Sequence, residues 1–312
     1  MRPAASILLL TTLTGFAFGL LAWIGAYATL GLLPAMPLLG VTGVALGLLL
    51  ASLGLAASML HLGRMERAWR AFSQWRSSWL SREGVCAVLI YPLAILLAVA
   101  LLHVGHGGLA VRLLGAAVVV ASLATVLCTA MIYASLKPIR QWHNSHTAPG
   151  YLIHAVFSGA LLFALLHTVL AGRPGSTDLI AAATAAVALI AKCAYWRHVD
   201  AQKPLASLAA AIGLPKDAQV KPLDAPHFTE NYVLREMGFA IARRHAGRLR
   251  RIALCLAFGL PLGLTLLASL SIAPLAVTAA ALACAVIGLL TERWLFFAEA
   301  TQVAALYYGR RT

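Results

Sequence analysis

The chain has 312 residues, of which 61% are hydrophobic and only 11% are charged, and its formal net charge is +14. Its mean hydropathy is +0.86, and a soluble domain, which is typically about a quarter charged, could not cover its surface with so little charge. A soluble globular protein is therefore excluded, and the positive excess is attributed to loops beside a membrane rather than to nucleic-acid binding.

Eight apolar runs are long enough to cross the hydrocarbon core as helices, which takes about 20 residues each. In chain order they are residues 4–30, 36–60, 84–102, 109–136, 151–171, 177–195, 252–270 and 274–297. The first run is far longer than the apolar core of a signal peptide, so a spanning helix is predicted there. Strands are not expected, because a membrane barrel requires an alternating pattern that is missing here. The sequence predicts an all-α polytopic membrane protein with eight transmembrane helices in one integral membrane domain, 1–312.

The basic residues are distributed very unequally between the two sides that these helices define. Of the 24 Lys and Arg residues, all but Arg112 and Arg173 fall on one side, which is 22 residues. Basic loops are retained in the cytoplasm. We therefore predict that both termini and the long loops are cytoplasmic.

The sixth loop, residues 198–250, is too long for a simple turn and is predicted to be a cytoplasmic amphipathic segment. It reads as a short helix at 203–214, a proline-punctuated stretch, and an amphipathic helix at 229–251. The basic cluster at 243–251 is typical of a lipid head-group anchor. A docking surface for an acidic partner explains it equally well, and both interpretations stay open.

The second loop carries the most specific pattern in the chain. His61 and Glu83 flank it at the membrane boundary, and Arg67 and Arg70 lie between them at helical spacing. A quinone headgroup exchanges two protons together with two electrons, so it needs a titratable partner. Histidine titrates near neutral pH, and a carboxylate can pass protons on. We therefore predict His61 and Glu83 as the catalytic pair of a quinone site, whereas the arginines fit head-group anchoring.

The sequence SMLHLGRMERAWRAF, followed by SSWLSREG, resembles the membrane anchor subunits of dimethyl sulfoxide reductase and its relatives, the DmsC family. Further similarity is found in GALL at 159–162 and ERWLFF at 292–297, so that the resemblance spans essentially the whole chain. It implies a bacterial inner-membrane enzyme complex with a molybdopterin catalytic subunit, a four-cluster iron–sulfur subunit and this anchor. The anchor would hold the quinone site and not the molybdenum site.

The resemblance also implies roles for individual residues. His61 matches the quinol-site histidine of the family, and Glu83 matches its acidic partner. Arg64, Ser81 and Arg82 lie in the same motif and are candidate quinone-binding residues. His143, in the fourth loop, could line the quinone pocket or meet the iron–sulfur subunit, and a plain loop role is equally open.

The charge of the second loop distinguishes branches of the family. In the dimethyl sulfoxide reductase anchors this loop is poor in basic residues, whereas here it is arginine-rich, which implies catalytic partners on the cytoplasmic side. The chain is more similar to the anchors of the cytoplasmic sulfite-oxidising branch (the SoeC type), also in IYASLKPIRQWHN at 132–144. The resemblance implies oxidation of sulfite to sulfate with reduction of ubiquinone or menaquinone. A dimethyl sulfoxide reductase anchor is the alternative.

The chain has ten histidines, and four of them raise the question of haem. His61 and His154 fall near the inner side, and His103 and His167 near the outer side, so that two pairs could ligate two b-type haems. A haem-containing cytochrome anchor is therefore a further alternative, and His154 is also a candidate for the quinone pocket. The family resemblance favours a haem-free anchor.

Other classes of function find less support. The five cysteines are scattered without a CxxC pair, which argues against zinc, iron–sulfur and disulfide sites in this chain. A transporter would show internal repeats and polar residues near the midplane, whereas the charges here gather at one face. Glu292 and Arg293, at the inner end of the last run, are either an intramembrane ion pair or a functional site.

Overall fold

The computed structural model describes residues 4–33, 37–60, 65–104, 107–172, 174–202, 209, 212–215, 218, 220 and 245–303. Within these ranges the fold is all-helical, and eight helices of 22–26 residues are long and apolar enough to span a membrane. This confirms the predicted fold class. The helices are α1 (Ala5–Leu30), α2 (Pro37–Met59), α3 (Trp79–His103), α4 (Leu109–Ala134), α5 (Thr147–Ala171), α6 (Ser176–Asp200), α7 (Ala246–Ser269) and α8 (Pro274–Ala298).

Helix α1 lies at the centre of the bundle, where it contacts α2, α4, α5 and α8. Its contact with α5 is made by two glycines. A Cβ atom at Gly19 would lie 1.9 Å from the carbonyl oxygen of Ala155, and one at Gly159 would lie 2.0 Å from the carbonyl carbon of Gly19. Because lipid offers no hydrophobic drive between helices, close backbone approach of this kind stabilises membrane bundles. The contact between Gly19 and Gly159 holds the middle of α5 against α1.

Helix α7 contains a π-helical turn at Cys255–Gly259, with α-helical segments on either side. The backbone of this turn packs directly on α8, since a Cβ atom at Gly288 would lie 2.1 Å from the nitrogen of Ala257. The turn aims Phe258 into the bundle, where its ring centroid lies 5.2 Å from that of His154. A π-bulge often marks a functional region of a helix, and here it covers a polar site.

The connections between α1 and α2, α3 and α4, α5 and α6, and α7 and α8 are short, so consecutive helices run antiparallel. The end of the bundle that lies opposite to these four connections is named the arginine-rich end. It contains the 3₁₀ helix Met65–Phe72 and the connection 135–146. There Arg250 bonds both Asp200 and Glu299, at 2.8 Å each, and thereby ties the start of α7 to the ends of α6 and α8.

The helix ends differ from those predicted from the apolar runs. Helix α3 begins at Trp79 rather than at 84, because the Ser78 side chain accepts a hydrogen bond from the Ser81 nitrogen and caps it. Helix α6 continues to Asp200 rather than ending at 195. Glu83, which the predicted run 84–102 leaves out, therefore lies inside a spanning helix. Hydropathy marks the apolar core of a helix and not the polar turns that extend it.

The predicted segments of the sixth loop lie largely outside the described residues. This applies to residues 221–244 and to most of 203–214. From residue 246 onward the chain is already part of α7, which includes three arginines of the predicted basic cluster.

Candidate functional site

Glu83 lies in the second turn of α3 and is buried, with 6% of its surface exposed. The hydroxyl of Thr129, on α4, donates a hydrogen bond of 2.6 Å to its Oε1 atom. A carboxylate inside a spanning helix is costly and is a functional candidate by default. The structure thus places this predicted site residue where proton chemistry is sheltered from bulk water.

Ser81 and Arg82 hold the second loop against the start of α3. The Ser81 hydroxyl donates to the carbonyl of Ala71. The Arg82 guanidinium donates to the carbonyls of Trp75, at 3.0 Å, and Arg76, at 2.6 Å. These bonds fold the 3₁₀ helix over α3, so both residues shape the cover of the Glu83 region.

For three other predicted residues the structure shows no contact with Glu83 among the described residues. His61 and Arg64 lie outside the described residues, so their pairing with Glu83 stays a prediction. His143 is exposed, and its Nδ1 atom lies 2.6 Å from the carbonyl oxygen of Ala134. That contact belongs to the turn after α4, and it gives His143 a structural role there.

A group of buried ionisable residues lies deeper in the bundle. It consists of His154 on α5, Lys192 on α6, and Glu292 and Arg293 on α8, and we name it the ionic cluster. Lys192 donates to Oε1 of Glu292, and Nε of Arg293 lies 3.2 Å from its Oε2. Two cations and one anion are thus buried together, so the ion pair predicted at 292–293 exists but has a third member.

The bonds of His154 determine its tautomer. Its Nδ1 atom lies 2.7 Å from Nη2 of Arg293. Because a guanidinium can only donate, Nδ1 must accept, and the neutral imidazole carries its proton on Nε2. That Nε2 atom is buried and has no hydrogen-bond partner among the described residues.

Two small cavities flank the ionic cluster. The Thr129 cavity lies between α1, α4, α5 and α8, and the Lys192 cavity lies between α5, α6 and α8. Each has a volume of about 20 Å³, which is room for about one water molecule. Tyr151, His154 and Arg293 line both cavities, so these three side chains form the partition between them.

Aromatic rings enclose this partition on the side of the arginine-rich end. The Arg293 guanidinium lies 3.9 Å from the centroid of the Tyr151 ring, and Tyr133 stacks on Tyr151 at 5.9 Å. Trp142 stacks on Phe296 at 5.7 Å and donates from its indole nitrogen to the Phe296 carbonyl at 2.8 Å. The rings pack between the ionic cluster and the connection 135–146.

The surroundings of His154 do not suit haem. Nδ1 is occupied by Arg293, Phe258 packs beside the ring, and the cavities have the size of a water molecule rather than of a porphyrin. His103 is exposed at the far end of α3, whereas the His167 ring packs against the backbone of Gly175, where a Cβ atom would lie 2.7 Å from Cε1. Within the described residues, no group of three or more His, Cys, Asp or Glu side chains could hold a metal ion.

Three residues of this region were missed by sequence reasoning. The hydropathy pattern marks Lys192, Tyr151 and Thr129 only as parts of apolar runs. A Lys that follows 13 uncharged residues of α6 is a usable signal, because a membrane-embedded cation needs a counter-charge. The hydroxyl groups give no such signal, since threonine and tyrosine are ordinary in membrane helices.

Comparison with known proteins places the chain in a family. The family model described as "DMSO reductase anchor subunit (DmsC)" matches residues 10–309. The chain is also 36% identical to one of the subunits of the sulfite dehydrogenase of Allochromatium vinosum, over 328 aligned positions that cover 99% of each chain. No solved structure matches it.

Proposed function

The chain belongs to the DmsC family and is a membrane anchor subunit of an oxidoreductase, and from this premise we propose that it is also the quinone-reactive subunit. In this proposal it passes electrons between a four-cluster iron–sulfur subunit and the quinone pool, while a molybdopterin-containing partner performs the substrate chemistry. The observation that carries the proposal is Glu83, a buried carboxylate next to the arginine-rich end.

Quinone reduction explains why a carboxylate is retained at this position. A quinone that takes up two electrons must also take up two protons, and its carbonyl oxygens lie too deep in the membrane to receive them directly from water. Glu83 supplies such a proton and is held in place by Thr129. The Thr129 and Lys192 cavities each have room for about one water, so we propose that the headgroup binds outside them, at the predicted pair of His61 and Glu83.

The arginine-rich end is the proposed docking side for the iron–sulfur subunit. Arg67, Arg70 and Arg76 lie on or next to the 3₁₀ helix, and all three are exposed. Such a surface attracts an acidic partner or anionic head groups. Because basic loops are retained on the inside, we propose that this end and both termini lie in the cytoplasm and that the membrane is a bacterial inner membrane.

The proposed substrate is sulfite, as for the relative from Allochromatium vinosum. Sulfite and water give sulfate, two protons and two electrons at the molybdenum site of the partner. The two electrons leave through iron–sulfur clusters to quinone, which takes up two protons and becomes quinol. Electrons and atoms balance without any other reactant.

Purification of the tagged chain from its own host tests this assignment. We expect a molybdopterin subunit and an iron–sulfur subunit to co-purify, and the complex to reduce a short-chain ubiquinone or menaquinone analogue with sulfite. A complex that oxidises quinol with dimethyl sulfoxide, and does not oxidise sulfite, would assign the alternative branch. A haem α band in its reduced-minus-oxidised spectrum would contradict the haem-free site.

A reporter fused after residue 312 tests the sidedness. We expect a reporter that is active only in the cytoplasm to be active. The basic residues on the side of the arginine-rich end outnumber those on the other side by 22 to two, and basic loops are retained in the cytoplasm. A signal from a periplasm-specific reporter at the same position would invert the topology and remove the argument for cytoplasmic partners.

A further inference from the structure

The proposed function leaves open how Glu83 regains a proton after it gives one to the quinone. Glu83 is buried, and its described hydrogen bond comes from a hydroxyl group, Thr129 Oγ1, rather than from a titratable group. Among the described residues, Thr129 is therefore where a route for protons to Glu83 begins. Thr129 lines the Thr129 cavity, and so do Tyr151 and His154.

Buried polar atoms without partners gather around this cavity. Among the described residues, Thr12 Oγ1, Tyr151 Oη and His154 Nε2 have no hydrogen-bond partner, and all three residues line it. An unpaired buried polar group costs about 1–3 kcal/mol, and such groups are normally satisfied by protein or by ordered water. A cavity of about 20 Å³ with two to four polar partners meets the requirements of one bound water.

The Lys192 cavity continues the route toward the arginine-rich end. His146, Thr147 and Lys192 line it, in addition to the partition residues. His146 lies at the beginning of α5 and is partly exposed, and its ring lies 4.6 Å from that of His198 at the end of α6. The Lys192 cavity thus reaches the surface where protons are available.

Tyr151 is the side chain that can carry a proton from one cavity to the other. A hydroxyl group accepts one hydrogen bond and donates another, so it can take up a proton on one side while it releases one on the other. Arg293 cannot do this, because a guanidinium only donates. His154 cannot do it either in this geometry, because Arg293 occupies its Nδ1 atom.

We propose that Tyr151 and Thr129 form a hydroxyl relay that carries protons from the arginine-rich end to Glu83 through one water in each cavity. The relay rests on the proposed quinone function. Glu83 gives its proton to a quinone oxygen, Thr129 passes a proton to the Glu83 carboxylate, and Thr129 regains one from the water in the Thr129 cavity. Tyr151 returns a proton to that water and takes one from the Lys192 cavity.

The balance of each cycle follows from this order. Two electrons arrive from the iron–sulfur partner, two protons enter from the arginine-rich end, and one quinone becomes one quinol. Thr129 and Tyr151 end each cycle unchanged. Arg293 is a positioning residue, because its guanidinium holds the Tyr151 ring at 3.9 Å, and Nε2–H of His154 anchors a water.

Tyr151→Phe and Thr129→Val test the relay, because each removes a hydroxyl group and retains the shape of the side chain. The measurement is the rate at which the purified complex, reduced with dithionite, is reoxidised by a short-chain ubiquinone analogue in H₂O and in D₂O. We expect each variant to be slowed by about tenfold or more, and its solvent isotope effect to exceed that of the unchanged complex. Thr129→Ser restores the hydroxyl and should restore both values.

Matched controls separate the relay from packing. Thr125 lies one turn before Thr129 and is also buried. Its hydroxyl donates a hydrogen bond of 2.8 Å to the carbonyl of Ala121 on the same helix. Tyr27 is a buried tyrosine near the C-terminal end of α1. Thr125→Val and Tyr27→Phe should leave the reoxidation rate and the isotope effect unchanged.

The outcomes distinguish the relay from the function on which it rests. If Glu83→Gln slows reoxidation but Tyr151→Phe and Thr129→Val behave like the unchanged complex, the relay is wrong and the quinone assignment survives. If Glu83→Gln also has no effect, the proposed function fails. Slowing in both relay variants without a larger isotope effect would show a packing role and would overturn the relay as well.

Discussion

Two ends of the same bundle each bury a carboxylate, and the described surroundings of the two carboxylates differ. Asp178, at the end opposite to the arginines, is fully buried, and it accepts hydrogen bonds from the nitrogen of Gly175, at 3.1 Å, and from Thr278, at 3.2 Å. Those bonds cap α6 and join it to α8. Burial of a carboxylate in a membrane helix therefore does not by itself indicate catalysis.

Glu83 differs from Asp178 in what lies beyond its first partner. Thr129, whose hydroxyl bonds Glu83, lines a cavity of water size, and that cavity adjoins a cluster with a lysine, an arginine and a second carboxylate. Asp178 is part of a helix cap, whereas Glu83 is the end of the proposed proton relay. The distinction that we propose between the two ends therefore rests on this relay and not on burial.

The largest expected effect on stability comes from Glu292→Ala in the ionic cluster. It leaves Lys192 and Arg293 as buried cations without their anion, which typically costs about 3–5 kcal/mol. We expect a large fall of the melting temperature in detergent and a low level of the protein in the membrane. Asp200→Asn is the control, because its pair with Arg250 is partly exposed and contributes only about 0–1 kcal/mol. Equal losses in the two variants would contradict the distinction between buried and surface charges.

Asp178→Asn is expected to have a smaller effect, on stability alone. The amide retains an oxygen that can accept one of the two hydrogen bonds, so we expect a loss of about 1 kcal/mol from the weakened cap. Sulfite oxidation with a quinone analogue should remain at the level of the unchanged complex, measured per mole of assembled complex. A selective fall in the quinone-linked rate would mean that both ends of the bundle take part in the reaction.

Ser81→Ala is expected to have the smallest effect, confined to the second loop. Loss of the hydroxyl removes the bond to the carbonyl of Ala71, at a cost of about 1 kcal/mol. Hydrogen exchange of the 3₁₀ helix Met65–Phe72 should quicken, while exchange in α5 stays as it was. Unchanged exchange in the 3₁₀ helix would show that the Ser81 bond does not hold the loop.

Most of the fold follows from the sequence, because a membrane admits few structures. Apolar length predicts all eight helices, and the distribution of arginines separates two ends. The start of α3 and the end of α6 do not follow from hydropathy. The Ser78 cap stabilises the first turn of α3, and the ion pair of Asp200 with Arg250 on α7 stabilises the last turn of α6. Family resemblance supplied the identity of the partners, which no physical property of this chain encodes.

The candidate site follows only in part. Glu83 is predictable, because an ionisable residue at a helix boundary is unusual and its motif is specific. Tyr151 and Thr129 are not, since what matters about them is that two different helices, α5 and α4, bring them to the same cavity. The meeting of His154 with Arg293 depends on residues 139 positions apart in the chain, and a one-dimensional pattern does not contain that contact.

The central claim is that electrons leave this anchor for quinone at the Glu83 end. The most direct measurement is the ratio of quinone-linked to dye-linked sulfite oxidation in the purified complex that carries Glu83→Gln, compared with the unchanged complex. Glutamine retains an oxygen for the Thr129 hydroxyl, so assembly and the dye-linked rate should persist. We expect the ratio to fall by about a hundredfold, as for the loss of a general acid. An unchanged ratio, with both activities intact, would contradict the account.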